Sequence, residues 1–194
     1  MIEEPSRLSY VGSNEVRNLI RTTTPISQKN RTSFYFEAKI VKGGRNDLIA
    51  IGLTEADPNT RTNCMPGWNA DNTRKHTYST LGIGYHGDDG KLYNMNEGYI
   101  LFLESFTTGD VVGCFIRQNS IDDTHQERTT VEFTKNGQKS TPVHIKDAIW
   151  YPTIAMASIG AVVETNFGEH SFFYSDMSKN VKTFLSFLSL YFDK

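Results

Sequence analysis

The chain has 194 residues, with 20 Lys and Arg against 22 Asp and Glu, for a formal charge of −2 at neutral pH. With 38% hydrophobic and 12% aromatic residues it can fill one core, and its length suits one domain with a short tail. That balance excludes a dedicated polyanion binder, which shows a strongly basic face. Cys64 and Cys114 cannot staple a domain of this size or supply a four-ligand zinc site alone, and read as reduced thiols of an intracellular protein.

The N-terminus, Met1 to Pro5, has neither the basic start nor the apolar core of a secretory signal. No stretch reaches the about 20 apolar residues that a membrane span needs. The most apolar one, residues 181–192, is interrupted by Lys182, Thr183, Ser186 and Ser189.

In chain order, Phe34, Phe36, Ala38 and Ile40 alternate with Tyr35, Glu37, Lys39 and Val41, the period-2 pattern of a half-buried strand. After a break at Gly43–Asp47, the apolar run Leu48 to Leu53 suits a buried strand. A polar, Pro-containing stretch runs from Thr54 to about Lys75. Asp89-Gly90, between aromatic-bearing runs, predicts a tight hairpin. Phe106 to Asp110 is a turn entering the strand Val111 to Ile116. Residues 117–128 are charged and predict an exposed loop. Asn136-Gly137 is a second hairpin signal after Val131 and Phe133. Strands at Ile149–Ala157 and Ala161–Phe167, joined by Ser158-Ile159-Gly160, complete nine or ten short strands. Turns every 8–12 residues predict an antiparallel sandwich or barrel. In the tail, Val181, Phe184, Leu185, Leu188, Tyr191 and Phe192 recur at three- and four-residue spacing, which predicts one amphipathic helix that packs on the domain or docks elsewhere.

Nothing in the chain spells out catalysis. None of the five histidines lies in a metal motif, and neither cysteine has the surroundings of an activated thiol. Cys114, inside an apolar run, reads as a buried structural thiol, and Cys64 as partly exposed. The acidic turn His86 to Gly90 is too short for an EF-hand loop, and no phosphate-cradling glycine motif opens a helix. No cofactor, no metal and no catalytic residue are therefore expected. The segment Met65-Pro66-Gly67-Trp68-Asn69 stands out, because a loop tryptophan serves equally as an interface anchor or as a cap on the core.

Eight motifs occur together and in order: Phe34 to Ile40, Ile51-Gly52-Leu53, Met65 to Trp68, Gly84 to Gly90, Gly109 to Cys114, Phe133 to Gly137, Tyr151-Pro152-Thr153 and Asn166-Phe167-Gly168. With them the sequence resembles a SPRY domain over about residues 8–175. Residues 1–7 are then an N-terminal extension and 176–194 a tail. Within the family it is most similar to the Ran-binding-protein-M type, through Ile20 to Ile26, the Pro66-Gly67-Trp68 loop and Gly84 to Gly90. Only the SPRY part is matched; the LisH and CTLH helical modules of that type are not seen. The charged stretch 117–128 and the apolar Tyr99 to Leu103 depart from the family pattern.

The resemblance implies an all-β fold, a bent sandwich of two antiparallel sheets of concanavalin-like type, with the short C-terminal helix added. It implies a non-catalytic module that binds a short linear peptide or a folded protein partner through loops at one end. It also implies an adaptor or scaffold role in a ubiquitin ligase-type complex, in the cytoplasm or nucleus. Family peptide sites map by motif onto Arg21, Thr22, Thr54, Met65, Trp68, Asn69, Ile159 and Gly160, with Tyr85 flooring the pocket. Where peptide-binding members carry a Trp-Gly pair this chain has Ile159-Gly160, so their peptide motif is not transferred. No nucleic-acid partner is expected, and self-association through the tail is open. The alternative reading is a carbohydrate-binding, lectin-like sandwich, since lectins share the architecture.

Overall fold

A computed structural model describes residues 6–26, 33–55, 64–67, 82–94, 98–101, 103–121, 127–174 and 190–191. All regular structure among them is β. The strands are β1 (Ser6–Ser9), β2 (Asn18–Thr22), β3 (Ser33–Lys42), β4 (Ile49–Glu55), β5 (Gly82–His86), β6 (Lys91–Asn94) and β7 (Gly98–Leu101). They continue with β8 (Val111–Ile121), β9 (Glu127–Lys135), β10 (Gln138–Lys139), β11 (Val143–Ile145), β12 (Trp150–Met156), β13 (Val162–Asn166) and β14 (Leu190–Tyr191). Sheet 1 has the order β1-β13-β3-β8-β9-β10, with β11 also on β9, and sheet 2 the order β14-β2-β12-β4-β5-β6-β7. Every pairing is antiparallel. Of the sandwich or barrel expected from strand spacing, the sandwich is the fold, as the family resemblance implies.

Side-chain alternation explains why the two sheets stack. On β3, Phe34, Phe36, Ala38 and Ile40 point between the sheets, where Val112, Cys114 and Ile116 of β8 join them. Ile49, Ile51 and Leu53 of β4 and Trp150, Ile154 and Met156 of β12 close the core from sheet 2. Phe36 lies flat on Phe167, with ring centroids 5.3 Å apart and an interplanar angle of 6°. Burial of this kind is the main favourable contribution to such a fold. The Cys114 thiol is buried, as expected, and burial raises its pKa well above the ordinary value. Cys64 is also buried, where partial exposure was expected.

Local readings held where turn chemistry was unambiguous. Asn136 and Gly137 both take positive φ, 49° and 82°, the primed geometry whose twist matches the β9–β10 hairpin. The Asp89-Gly90 signal does not make a two-residue hairpin. Residues 87–90 all lie between β5 and β6, and of these only Gly90 has positive φ. Asp89 instead closes the loop with its side chain, accepting from Lys91 N at 3.0 Å and Tyr93 Oη at 2.6 Å. The exposed loop expected at 117–128 is shorter: β8 continues to Ile121 and β9 starts at Glu127, past a register shift between Arg117 and Ser120. Ser6 and Arg7, assigned to an N-terminal extension, pair with Thr165 and Glu164 as part of β1. Of the expected tail helix, residues 176–189 and 192–194 lie outside the described residues; Leu190–Tyr191 form a strand on β2.

The outer face of sheet 1 is covered too. Alternation predicts Tyr35 and Glu37 on a solvent face, yet both are buried, because residues 171–174 fold back across β3. Tyr35 packs edge-on against Phe172, with centroids 4.8 Å apart, and Phe115 completes the cluster. Glu37 anchors this strap. Its carboxylate accepts from Phe173 N (3.0 and 3.2 Å), Asn166 Nδ2 (3.2 Å) and Tyr35 Oη (3.2 Å). Burial pushes its pKa up, opposed by these donors. Glu37→Ala leaves the Phe173 amide without its acceptor and Asn166 Nδ2 with only the His170 and Ser171 carbonyls, at about 2 kcal/mol. Urea denaturation reads the loss, hydrogen exchange reads faster exchange at the Phe173 amide, and Glu37→Gln, which keeps an acceptor oxygen, loses less.

Candidate functional site

Strand pairing gathers several of the expected residues on the outer face of sheet 2. Opposite Arg21 of β2 stands Thr153 of β12; opposite Thr153 stands Gly52 of β4; opposite Gly52 stands Gly84 of β5. The next row towards the start of β4 is Leu19, Ala155, Ala50 and His86. Side chains two apart on a strand share a face, so Tyr151 and Thr54 extend the same surface beyond Arg21.

This floor is almost free of large side chains, and residues 64–67 lie on it. Met65 is fully buried against Leu19, Ala50 and Ala155. Gly67 has a φ of 75°, and a Cβ there would collide with the Tyr93 carbonyl, so only glycine lets the backbone press this close. His86 fastens the segment. Its Nε2 lies 3.0 Å from the Pro66 carbonyl oxygen, and since a carbonyl can only accept, Nε2 carries the proton. The ring lies 4.3 Å from that of Tyr93, centroid to centroid. Burial pulls the His86 pKa down to about 4, against the contrary effects of Pro66 and Asp89, so the ring is neutral at physiological pH.

Arg21 is the charged group of this face. Its guanidinium sits 5.1 Å above the centroid of the Tyr151 ring, and Nη1 donates to the Glu55 carbonyl at 3.4 Å. Among the described residues it forms no ion pair and donates this one hydrogen bond, out of the five N–H donors a guanidinium carries. Beside it, Glu55 pairs with Lys146 at 2.6 Å. Behind it, Thr153 Oγ1 donates to the Tyr151 carbonyl at 2.9 Å and accepts from Thr54 Oγ1 at 2.8 Å, which fixes both buried hydroxyls.

The nine expected site residues divide. Arg21, Thr54 and Met65 share this face, with Thr54 and Met65 fully buried in its floor. Thr22 is turned away and buried, its hydroxyl donating to the Thr24 carbonyl at 2.8 Å. Tyr85 corrects the expectation of a pocket floor. It points between the sheets, edge-on to Phe106 and Phe133, and its hydroxyl donates to the Glu104 carbonyl. Burial raises the pKa of that hydroxyl. Ile159 and Gly160 form a turn at the end of sheet 2 where β12 stops, with Ile159 O accepting from Arg45 N at 3.1 Å. Thr54 is at the other end of β4, about 17 Å along the strand from Ile49. Trp68 and Asn69 lie outside the described residues. The sequence reading missed Tyr151, Leu19 and His86 as parts of this face; the alternation of Tyr151, Thr153 and Ala155 was the signal available for the first.

A rigid antiparallel sandwich that offers a loop-covered face with one stacked arginine has the build of a recognition module. Among the described residues there is no group of three His, Cys, Asp or Glu that could hold a metal ion, and no helix is long and apolar enough to cross a membrane. The chain belongs to the SPRY domain family, which it matches over residues 33–170. Its relatives include Ran-binding protein 9 of Homo sapiens, 37% identical over 157 residues, covering 80% of this chain and 18% of the relative. Ran-binding proteins 9/10 homolog of Drosophila melanogaster is 32% identical over 189 residues, covering 91% and 17%. The chain therefore spans about a fifth of the length of these curated relatives. A crystal structure of a human SPRY domain superposes with a TM-score of 0.65 at 27% identity, covering 82% of this chain and 90% of that one. The SPRY domain of human HERC1, at 20% identity and a TM-score of 0.56, shares the fold, covering 85% and 90%. SPRY domains are protein-interaction modules, and those of the homologues are generally non-catalytic.

The neutral His86 ties the covering segment to pH. In the unfolded chain its pKa returns to about 6.5, above the folded value of about 4, so the unfolded state takes up the proton first as pH falls. The resulting stability, about 3 kcal/mol, is complete above pH 6.5 and lost between about 6.5 and 4. Urea midpoints for wild type and His86→Gln at pH 7, 5.5 and 4.5 should converge as the pH falls.

Proposed function

We propose that the chain binds a protein partner, a short peptide or a folded domain, on the outer face of sheet 2. Arg21 supplies charge-assisted hydrogen bonds to a carbonyl-rich or acidic segment. Trp68 and Asn69, next in sequence after residues 64–67, supply an apolar anchor and a polar contact. The observation that carries this reading is the Arg21 guanidinium, stacked on Tyr151 and, among the described residues, bonded only to the Glu55 carbonyl, over a floor of small, hydrogen-bonded side chains. A preformed face of this kind loses little entropy on binding. The turn Ile159-Gly160, at the end of the same sheet, extends the contact for a longer partner.

Membership in the SPRY family and the relationship to Ran-binding proteins 9 and 10 support this reading. We further propose that the chain acts inside the cell, in cytoplasm or nucleus, as an adaptor or scaffold that brings its partner into a ubiquitin ligase-type complex. Affinity purification with the full chain, followed by calorimetry on the captured partner, tests the face. Arg21→Ala and Trp68→Ala each weaken capture at least tenfold, about 1.4 kcal/mol, while Arg7→Ala on sheet 1 leaves it unchanged. Retention of every partner by both face variants removes this site.

A further inference from the structure

The hairpin between β9 and β10 holds the one Asn-Gly pair of the sequence, Asn136-Gly137; every other asparagine is followed by a larger residue. An Asn-Gly pair is able to modify itself, because glycine has no side chain to shield its nitrogen. The Gly137 nitrogen attacks Cγ of Asn136. A Cγ–N bond forms, the Cγ–Nδ2 bond breaks, and ammonia leaves with the proton of the Gly137 N–H. Water then opens the five-membered succinimide at either carbonyl and leaves aspartate or isoaspartate at position 136. No oxidation or reduction is involved.

Two features of the fold bear on this reaction. Asn136 is exposed, so water reaches it. Yet its carboxamide is held at both ends: Oδ1 accepts from Val111 N at 2.9 Å and Nδ2 donates to Asp110 Oδ1 at 2.7 Å. The Asn136 N–H donates in turn to the Val111 carbonyl at 2.8 Å. Asp110 is itself fixed, its Oδ2 accepting from Thr107 N at 2.9 Å with Lys135 Nζ 3.9 Å away. The ring closes only when the carboxamide carbon turns onto the Gly137 nitrogen, and that rotation breaks both side-chain bonds. The planar ring also forces the backbone out of the primed turn that the φ angles of 49° and 82° define. The attack therefore waits on local opening of the hairpin.

The product does not fit the bracket that protects the reactant. A carboxylate at position 136 has no N–H to give Asp110, and it puts a second negative charge where Nδ2 stood, 2.7 Å from Asp110 Oδ1. Isoaspartate also adds a methylene to the main chain of a two-residue turn. We propose that Asn136-Gly137 is a self-modification site: the bracket of Asp110 and Val111 keeps it intact in the folded chain, and deamidation after local opening permanently breaks the tie between β8 and the β9–β10 hairpin. The fraction converted then records how long a chain has spent open. The site uses no residue of the Arg21 face, so it stands or falls apart from partner binding.

The test follows conversion at position 136 of the full chain by peptide mapping with mass spectrometry, at pH 8 in native buffer and in guanidinium chloride. Wild type converts about tenfold or more slowly in native buffer than in denaturant. Asp110→Ala, which removes the Nδ2 acceptor, converts about threefold or more faster than wild type in native buffer, the weight of one hydrogen bond, and at the wild-type rate in denaturant. If circular dichroism shows Asp110→Ala unfolded, Asp110→Asn takes its place, since one carbonyl cannot serve both Thr107 N and Nδ2 in the same way. Asn136→Asp lowers the urea midpoint, and the double variant Asp110→Asn, Asn136→Asp, which exchanges donor and acceptor, recovers most of the loss. Equal conversion in native buffer and denaturant overturns the proposal, as does a native rate unchanged in the folded Asp110 variant. A double variant no more stable than Asn136→Asp overturns the broken tie.

Discussion

The outer face of sheet 2 depends on the near absence of side chains along its middle rows. Across β12, β4 and β5 these rows read Ala155, Ala50 and His86, then Thr153, Gly52 and Gly84. Two sheets stacked on one core leave each sheet a second face, and a face lined by large polar groups would have remained in water. Here the floor is low enough for the backbone at residues 64–67 to rest on it. Met65 fills the dip over Leu19, Ala50 and Ala155, and Gly67 meets the β6 backbone directly. Larger residues on these rows would lift the segment, expose Met65 and break the His86–Pro66 contact. The spacing that makes the face shallow is thus what gives the loop a fixed seat.

From that seat the chemistry of the face follows. Thr54 and Thr153 satisfy each other and the Tyr151 carbonyl, so the buried hydroxyls have no bonds to offer a ligand. Arg21 differs. Its stem is half-buried and its plane rests on an aromatic ring, which limits its rotamers without neutralising it. The pairing of Lys146 with Glu55 engages the neighbouring carboxylate and leaves Arg21 with only a backbone carbonyl among the described residues. A net charge of −2 over the whole chain is consistent with recognition that rests on a few oriented donors rather than on a broad field.

Much of the fold was legible because β alternation and turn chemistry are local. Phe34 to Ile40 announced β3, and Asn136-Gly137 announced its hairpin. The motifs in family order carried the class of protein. What stayed hidden was which outer faces are covered. Glu37 follows the alternation of an exposed position, and only the return of residues 171–174, more than 130 positions later, buries it. Tyr85 failed for a related reason: in Gly84-Tyr85-His86 a one-residue difference in register decides whether the tyrosine or the histidine faces the core. The structure turns Tyr85 inward to Phe106 and Phe133 and gives the outer position to His86. The tail periodicity fits a helix, but an open strand edge offers Leu190 and Tyr191 backbone partners that no local pattern encodes.

The two covers are fastened by groups whose protonation works in opposite directions. On sheet 1 the anchor is a buried carboxylate with a raised pKa, so the folded chain takes up a proton at Glu37 before the unfolded chain does. Its burial penalty is therefore relieved as the pH falls through the raised value towards the ordinary one. On sheet 2 the anchor is a buried imidazole with a lowered pKa, and acid removes its contribution. Each arrangement follows from what the cover offers. The strap brings an N–H donor at Phe173, beside the Asn166 amide at the end of β13, and so requires an acceptor. The loop brings a carbonyl, at Pro66, and so requires a donor that does not have to be charged. Mild acid therefore loosens the loop on sheet 2 while the strap on sheet 1 keeps its anchor, so that acid sensitivity lies on the face that carries Arg21.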